Sequence, residues 1–342
     1  MTNTAPKKIM LSAVQPTNKI TIGNYIGAIS QWVRLQNDYE CLFFAVDLHT
    51  ITARQDPQEL RAQTYQTLAT YIAAGIDPEA ALLFCQSHVP EHAELAWVLN
   101  CYTYMGELNR MTQYKDKSAK SGANIPVGLF DYPVLMASDI LLYQTNLVPV
   151  GDDQKQHVEL TRDLAIRMNN LYGGDLFTVP EIYTPPVGGR VMSLQDPLAK
   201  MSKSDPDANS AVYMGDTNDQ ILKKLKKAVS DSGSEITDDE TKPGVRNLLS
   251  IQAALTGKTR AQVAEAYAGK QYGHLKTSTA ELVIEKVAPI RDRAEALQKD
   301  LGYLDSVLAR GAIKAREKAA RTLTETYKRL GFIPKPTALP KP

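Results

Sequence analysis

Three cysteines in 342 residues, Cys41, Cys85 and Cys101, are too scattered to form a disulfide framework. None stands in a C-x-x-C pair and the five histidines share no ligand spacing, so no structural zinc and no resident metal is expected. Long apolar runs are missing as well. The run Ile9–Val14 is broken at once by Gln15-Pro16, too short for the core of a secretory signal, and no stretch approaches a membrane span. These absences predict a cytoplasmic protein that does not enter a membrane. Net charge is nearly missing too, at +1, but that small total hides a division. Residues 1–206 carry 16 Lys and Arg against 21 Asp and Glu, whereas residues 207–342 carry 23 against 17. A basic second part suggests a polyanionic partner. Charge alone fits solvated lysine-rich helices slightly better.

What is present alternates between strand and helix patterns. Ile9–Val14 and Cys41–Val46 read as buried strands, with helical periodicity between them from Ile22 to about Leu35. Asp56 ahead of Pro57 caps a long helix through Ala74, and Ala81–Phe84 reads as a third strand. Leu147–Val150 returns to strand character before a helix from Gln154 to Tyr172. This is the grammar of an α/β fold, a Rossmann-like doubly wound parallel sheet. Residues from about 91 to 142 are helical in pattern and read as an insertion. Beyond Asp207 no convincing strand appears, and the pattern is helical to about Leu330 around an acidic loop, Asp231–Gly244. The expected division is an α/β domain over 1–206, an all-α domain over 207–333 and a proline-rich tail over 334–342. No internal repeat is present.

In open α/β sheets, ligands lie beyond the carboxyl ends of strands, where helix N-termini face them. Three segments fall there. Gln15-Pro16-Thr17 with Thr21-Ile22-Gly23-Asn24 leads a strand into a helix. Gly23 permits close backbone approach to a ligand, and Thr21 and Asn24 can donate to phosphate oxygens, although a turn requirement explains the glycine as readily. Gly151-Asp152-Asp153-Gln154 offers acceptors for ribose hydroxyls, or equally a helix N-cap. Lys200-Met201-Ser202-Lys203-Ser204 is the strongest signal. Two lysines and two hydroxyls within five loop residues form a mobile cationic clamp for a phosphate chain.

The element Thr21–Asn24 resembles the HIGH signature of class I aminoacyl-tRNA synthetases, with Thr and Asn in place of its two histidines, and Lys200–Ser204 is an intact KMSKS signature. Met105–Leu108, Arg110–Gln113, Asp131–Tyr143 and Gly151–Asp163 resemble the bacterial-type tryptophanyl branch, and the similarity extends from about Lys8 to Phe332. The resemblance implies a Rossmann-like catalytic domain with a helical connecting insertion and an α-helical anticodon-binding domain. It implies ATP and tryptophan as substrates, Mg²⁺ carried in with ATP, tRNA as acceptor, and a homodimer.

By the same resemblance, Gln15, Pro16, Thr17, Gly23 and Asn24 hold ATP, Gly151, Asp152 and Asp153 hold its ribose, and Val191 packs near the adenine. Lys200 and Lys203, with Met201, Ser202 and Ser204 around them, stabilise the leaving pyrophosphate. Asp139 accepts the indole N–H, Met136 and Val148 touch the ring, and Tyr132, Gln113 and Gln154 bind the amino acid's polar end. Spacing agrees, since 132, 136, 139 and 143 share one helix face. Without the resemblance core packing is the better reading of Tyr132 and Met136, whereas an acid among Leu, Ile and Met needs a partner. His49 sits at a strand end with a structural or a substrate role open to it. His88, His92 and His157 read as bland, as does the run Lys223–Lys227, a solvated helix face. Arg310, Lys314, Arg321 and Lys328 form a basic stripe suited to tRNA. Ala13 and Asn18 stand where the family has glycines, Leu11 where Phe is common, and Leu48 where Gln often follows the strand-end acid, which bears on substrate affinity. The rival readings are a tyrosyl enzyme and a non-catalytic tRNA-binding relative; intact signature loops argue against the second.

Overall fold

The computed structural model describes residues 6–16, 19–115, 124–183, 190–202 and 205–335. Five parallel strands form one sheet in the order β3-β2-β1-β4-β5. They are β1 (Ile9–Val14), β2 (Glu40–Ala45), β3 (Ala81–Cys85), β4 (Leu147–Pro149) and β5 (Glu181–Tyr183). Strands buried on both faces read as unbroken apolar runs, and Cys41–Ala45 is buried throughout. Alternation still assigns the faces. Cys41, Phe43 and Ala45 enter one core with Trp32, Leu68 and Ile72, while Leu42 and Phe44 enter a second with Leu95, Leu141 and Leu164. Trp32 stacks on Phe43 at 4.8 Å and meets Tyr71 edge-on at 5.2 Å, which fixes the first layer of helices to the sheet.

After β1 the chain enters a short helix α1 (Ile22–Asn24), a π-helical stretch Tyr25–Ile29, and α2 (Ser30–Leu35). A single helical turn, α3 (Asp47–Thr50), follows β2, and α4 (Pro57–Ala74) returns the chain to β3. Asp56 caps α4 by accepting the amides of Gln58 and Glu59, as the sequence predicts. The insertion supplies α5 (Glu91–Asn100), α6 (Met105–Asn109) and α7 (Val127–Leu141), and α8 (Lys155–Tyr172) follows β4. The second part holds α9 (Asn218–Lys226), α10 (Pro243–Thr256), α11 (Arg260–Glu265), α12 (Tyr272–Gln298) and α13 (Leu301–Arg329). Among the described residues no helix is long and apolar enough to cross a membrane.

Three features depart from the sequence reading. The strand β5 has three residues, too few to carry a periodic signal. Residues beyond 207 are not helical throughout: Tyr213 pairs antiparallel with Thr21, and Ile22 N–H donates to the Val212 carbonyl at 2.8 Å. Most consequential, the apolar core does not stop at residue 206. Helix α13 places Leu304, Val307 and Leu308 in the first core and Ala312, Ala315, Ala319 and Leu323 in the second, so it wraps the free edge of the sheet at β3. Gly311 sits at that crossing, where a Cβ would lie 1.9 Å from the Leu83 carbonyl oxygen.

Candidate active site

The chain runs β1, β2, β3 in one direction across the sheet and resumes with β4 on the other side of β1. Strand order therefore reverses at β1 and β4, and the crevice beyond their carboxyl ends is where an open α/β sheet binds ligands. Gln15 and Pro16 leave β1 there, and Gly151 leaves β4 there. The 3₁₀ turn Asp152–Gln154 then starts α8.

At the β1 side, Thr21 and Asn24 form a reciprocal cap. Asn24 Oδ1 accepts the Thr21 N–H at 3.0 Å, and Thr21 Oγ1 accepts the Asn24 N–H at 3.2 Å. The Thr21 hydroxyl gives its one proton to Asn24 Oδ1 at 3.0 Å and is buried. In this structure the Thr21 hydroxyl therefore orients Asn24. Because a backbone N–H can only donate, the Asn24 atom facing it is the oxygen, and the amide nitrogen points away from the cap. A Cβ on Gly23 would lie 3.5 Å from Val191 Cβ and 3.7 Å from Met201 Sδ, so the helix start faces both the expected adenine contact and the signature loop.

That loop rests on a short hairpin. Met192 pairs antiparallel with Lys200, and Met201 N–H donates to the Val191 carbonyl at 3.0 Å. Lys200 Nζ lies 3.9 Å from Asp153 Oδ1, with both side chains about half exposed, a contact of little energetic weight that still brings two predicted segments together. Ser202 is half-buried beyond it. Thr17, Asn18, Lys203, Ser204 and the side chain of Asp152 lie outside the described residues.

From Asp153 a hydrogen-bonded line runs inward. Gln154 Nε2 donates to Asp153 Oδ2 at 3.0 Å, so its other amide atom is the oxygen, which accepts His157 Nδ1–H at 3.0 Å. The remaining ring nitrogen, Nε2, then accepts the Tyr132 hydroxyl at 3.0 Å. Tyr132 thus has its proton committed to His157. Burial, with the Asp153 charge behind it, raises the Tyr132 pKa and keeps the phenol protonated at neutral pH.

Asp139 lies deeper, buried, at the end of the same helix face. Oδ1 accepts from Gln86 Nε2 at 2.7 Å and from His92 Nδ1 at 2.6 Å, and Oδ2 accepts from His49 Nε2 at 2.8 Å. His92 Nε2 meets the Tyr143 hydroxyl at 2.8 Å, and the His49 ring stands edge-on to Tyr132. Burial alone would raise the Asp139 pKa, but the imidazoles of His92 and His49 outweigh it and the net direction is downward. A carboxylate accepts about four hydrogen bonds. Three are taken here, so Oδ2 keeps room for one more donor among the described residues.

Of the remaining expected contacts, Val148 is buried on β4 and Met136 is half-buried on α7 beside Asp139's turn. Gln113 is half-buried next to Thr112, whose N–H Gln156 holds at 2.9 Å. His92 and His157, bland in the sequence, are the two links of these networks, and Gln86 went unnoticed. Apart from Gln154, three residues before His157, the partners named here lie 25 to 53 residues away, and no local pattern could expose them. His88 is exposed and joins neither network. Lys224 also departs from its solvated reading: it is buried, with Nζ 2.6 Å from Asp216 Oδ2, which in turn holds Tyr213 N–H at 2.8 Å and so supports the segment pairing with Thr21.

Comparison with known proteins places this geometry. The sequence matches the family described as tRNA synthetases class I (W and Y) over residues 3–288. The structure superposes on tryptophanyl-tRNA synthetase from Mycoplasma pneumoniae with a TM-score of 0.88 at 35% identity, covering 95% of this chain and 98% of that one. It superposes on tryptophanyl-tRNA synthetase from Campylobacter jejuni, complexed with ADP and tryptophan, with a TM-score of 0.81 at 35% identity, covering 95% and 100%. Tyrosyl-tRNA synthetase from Aeropyrum pernix gives 0.68 at 20% identity over 88% and 90%, a likeness of fold alone.

Proposed function

The chain belongs to the class I tRNA synthetases for tryptophan and tyrosine, and from that premise we propose that it is the tryptophan–tRNA ligase. A tryptophan carboxylate oxygen attacks the α-phosphorus of ATP, the bond to the β-phosphate oxygen breaks, and pyrophosphate leaves. A ribose hydroxyl at the 3′ end of tRNA then attacks the carbonyl carbon and releases AMP. Neither step needs a protein nucleophile, so the residues act by positioning and by neutralising charge.

Gln15, Pro16, Gly23, Asn24 and Val191 are the proposed ATP contacts, with Gly151 and Asp153 at the ribose. Lys200 and Met201, followed by Ser202, Lys203 and Ser204, meet the triphosphate, to which Mg²⁺ comes bound as part of the substrate. Loss of a lysine that meets charge developing on the leaving pyrophosphate typically costs about 3 kcal/mol of activation energy. Tyr132, Gln154 and Gln113 are the proposed contacts of the amino acid's polar end. Met136 and Val148 offer apolar walls for the indole. The exposed Trp97, Tyr104, Met105 and Val127 on and around α5 to α7 support a homodimer built on the insertion. Arg310, Lys314, Arg321 and Lys328 are exposed on one face of α13, with Glu317 among them, Glu79 3.5 Å from Arg310 and Glu325 3.8 Å from Lys328, and are the proposed tRNA stripe.

One observation carries the choice of amino acid: the spare acceptor on Asp139 Oδ2, held ionised and aimed by His49, Gln86 and His92. A buried acceptor rejects ligands lacking the matching donor by about 10⁴–10⁵ in favourable cases. Asp139→Ala should therefore lose about 2–4 kcal/mol of tryptophan activation while barely changing activation of the analogue with sulfur in place of the indole N–H. The ratio of exchange efficiencies for the two substrates, measured in both proteins, decides it. An unchanged ratio removes Asp139 as the reader of the indole nitrogen.

A further inference from the structure

The hairpin that carries Lys200 is held by a residue from the helical second part. In the pair Met192–Lys200, Ser193 N–H donates to the Ala199 carbonyl at 2.9 Å and Met201 N–H to the Val191 carbonyl at 3.0 Å. That arrangement makes Met192 and Lys200 a non-hydrogen-bonded pair, so the backbone groups of Met192 point away from its partner strand. One side chain satisfies both. Asn247 Oδ1 accepts the Met192 N–H at 2.9 Å, and Asn247 Nδ2 donates to the Met192 carbonyl at 2.8 Å. Asn247 is 4% exposed, and its amide acts as a one-residue third strand.

A second contact from the same helix reaches the same hairpin. At Gly244, in the first turn of α10, a Cβ would lie 2.2 Å from the Val229 carbonyl oxygen, so only glycine allows this approach. Val229 N–H donates in turn to the Leu194 carbonyl at 2.7 Å. Helix α10 thus grips the hairpin at Met192 directly and at Leu194 through Val229.

We infer that Asn247 is a positioning residue for the triphosphate clamp: it fixes the hairpin against α10 so that Lys200 faces Asp153 and Met201 faces Gly23. This rests on the reading of Lys200 as a pyrophosphate contact. Asn247 touches no reacting atom. Its effect should appear in the rate of adenylate formation and not in tryptophan affinity.

Two variants of the full chain test it. N247A removes both bonds. N247D keeps the acceptor for Met192 N–H but, when ionised, cannot donate to the Met192 carbonyl; when protonated it does both. Burial raises a carboxyl pKa, so protonation is reachable in the neutral range. Amide hydrogen exchange over residues 191–201 should show lost protection in N247A, with the strands of the sheet unchanged. The kcat of tryptophan-dependent pyrophosphate exchange should fall about ten-fold while the KM for tryptophan stays within about two-fold. Relative to the unsubstituted protein, N247D should recover activity as pH falls from about 8 to about 6, and N247A should not. Unchanged protection of 191–201 in N247A overturns the assignment, as do N247D and N247A profiles that stay parallel across that range. If the unsubstituted chain itself gives no tryptophan-dependent exchange, the reading of the reaction fails instead, and the protection measurement still decides the role of Asn247.

Discussion

At the scale of the residue, the site depends on what side chains are prevented from doing. Thr21 commits its proton to Asn24, Tyr132 commits its proton to His157, and Asp139 gives three of its acceptor positions to two imidazoles and an amide. The composition of Lys200–Ser204 was legible because charge and hydroxyls in a short loop have few structural uses. The histidines were not, because a buried imidazole and an exposed one have the same local sequence. Gly23 tests the division between packing and recognition. An added Cβ would meet its neighbours at 3.4 to 3.7 Å, ordinary contact distances, and alanine is the better helix former by up to about 1 kcal/mol. Gly23→Ala should therefore melt no lower than the unsubstituted protein yet raise the KM for ATP about ten-fold or more. A lowered melting temperature with unchanged KM would assign the glycine to packing.

At the scale of the element, four of five strands were readable because burial on both faces forces continuous apolar runs, and the start of α4 because Asp56 and Pro57 mark it. The pairing of residues 212–214 with the start of α1 was not readable, since it joins segments about 190 residues apart and has no periodic signature. Nor was the course of α13. Its small residues Ala312, Ala315 and Ala319 look unremarkable in sequence, but they allow a helix to lie close against the sheet edge. Gly311 is the tightest point. A methyl group there would meet the Leu83 backbone, which cannot retreat without disturbing β3, and overpacking of this kind costs about 1–3 kcal/mol. Gly311→Ala should lower the midpoint of urea unfolding without changing its slope. An unchanged midpoint would mean that α13 is free to slide along the edge.

At the scale of the whole molecule, the helical second part packs on α4 through α12, on β3 through α13 and on the signature hairpin through α10, so residues on both sides of 206 share one core. Charge asymmetry could suggest a polyanion-binding part but could not show this shared core. The insertion, by contrast, leaves large apolar side chains bare: Trp97 is 72% exposed and Met105 67%. Trp97→Glu combined with Met105→Glu should shift sedimentation from dimer to monomer at micromolar concentration. A monomeric parent protein would refute the dimer outright. The central claim, that the crevice at β1 and β4 activates tryptophan, is tested most directly by ATP–pyrophosphate exchange measured with each standard amino acid in turn. The account predicts exchange with tryptophan and at least about 10²-fold less with tyrosine or phenylalanine, the selectivity expected of a site shaped around an indole donor. Equal exchange with tyrosine, or none with tryptophan, would contradict it.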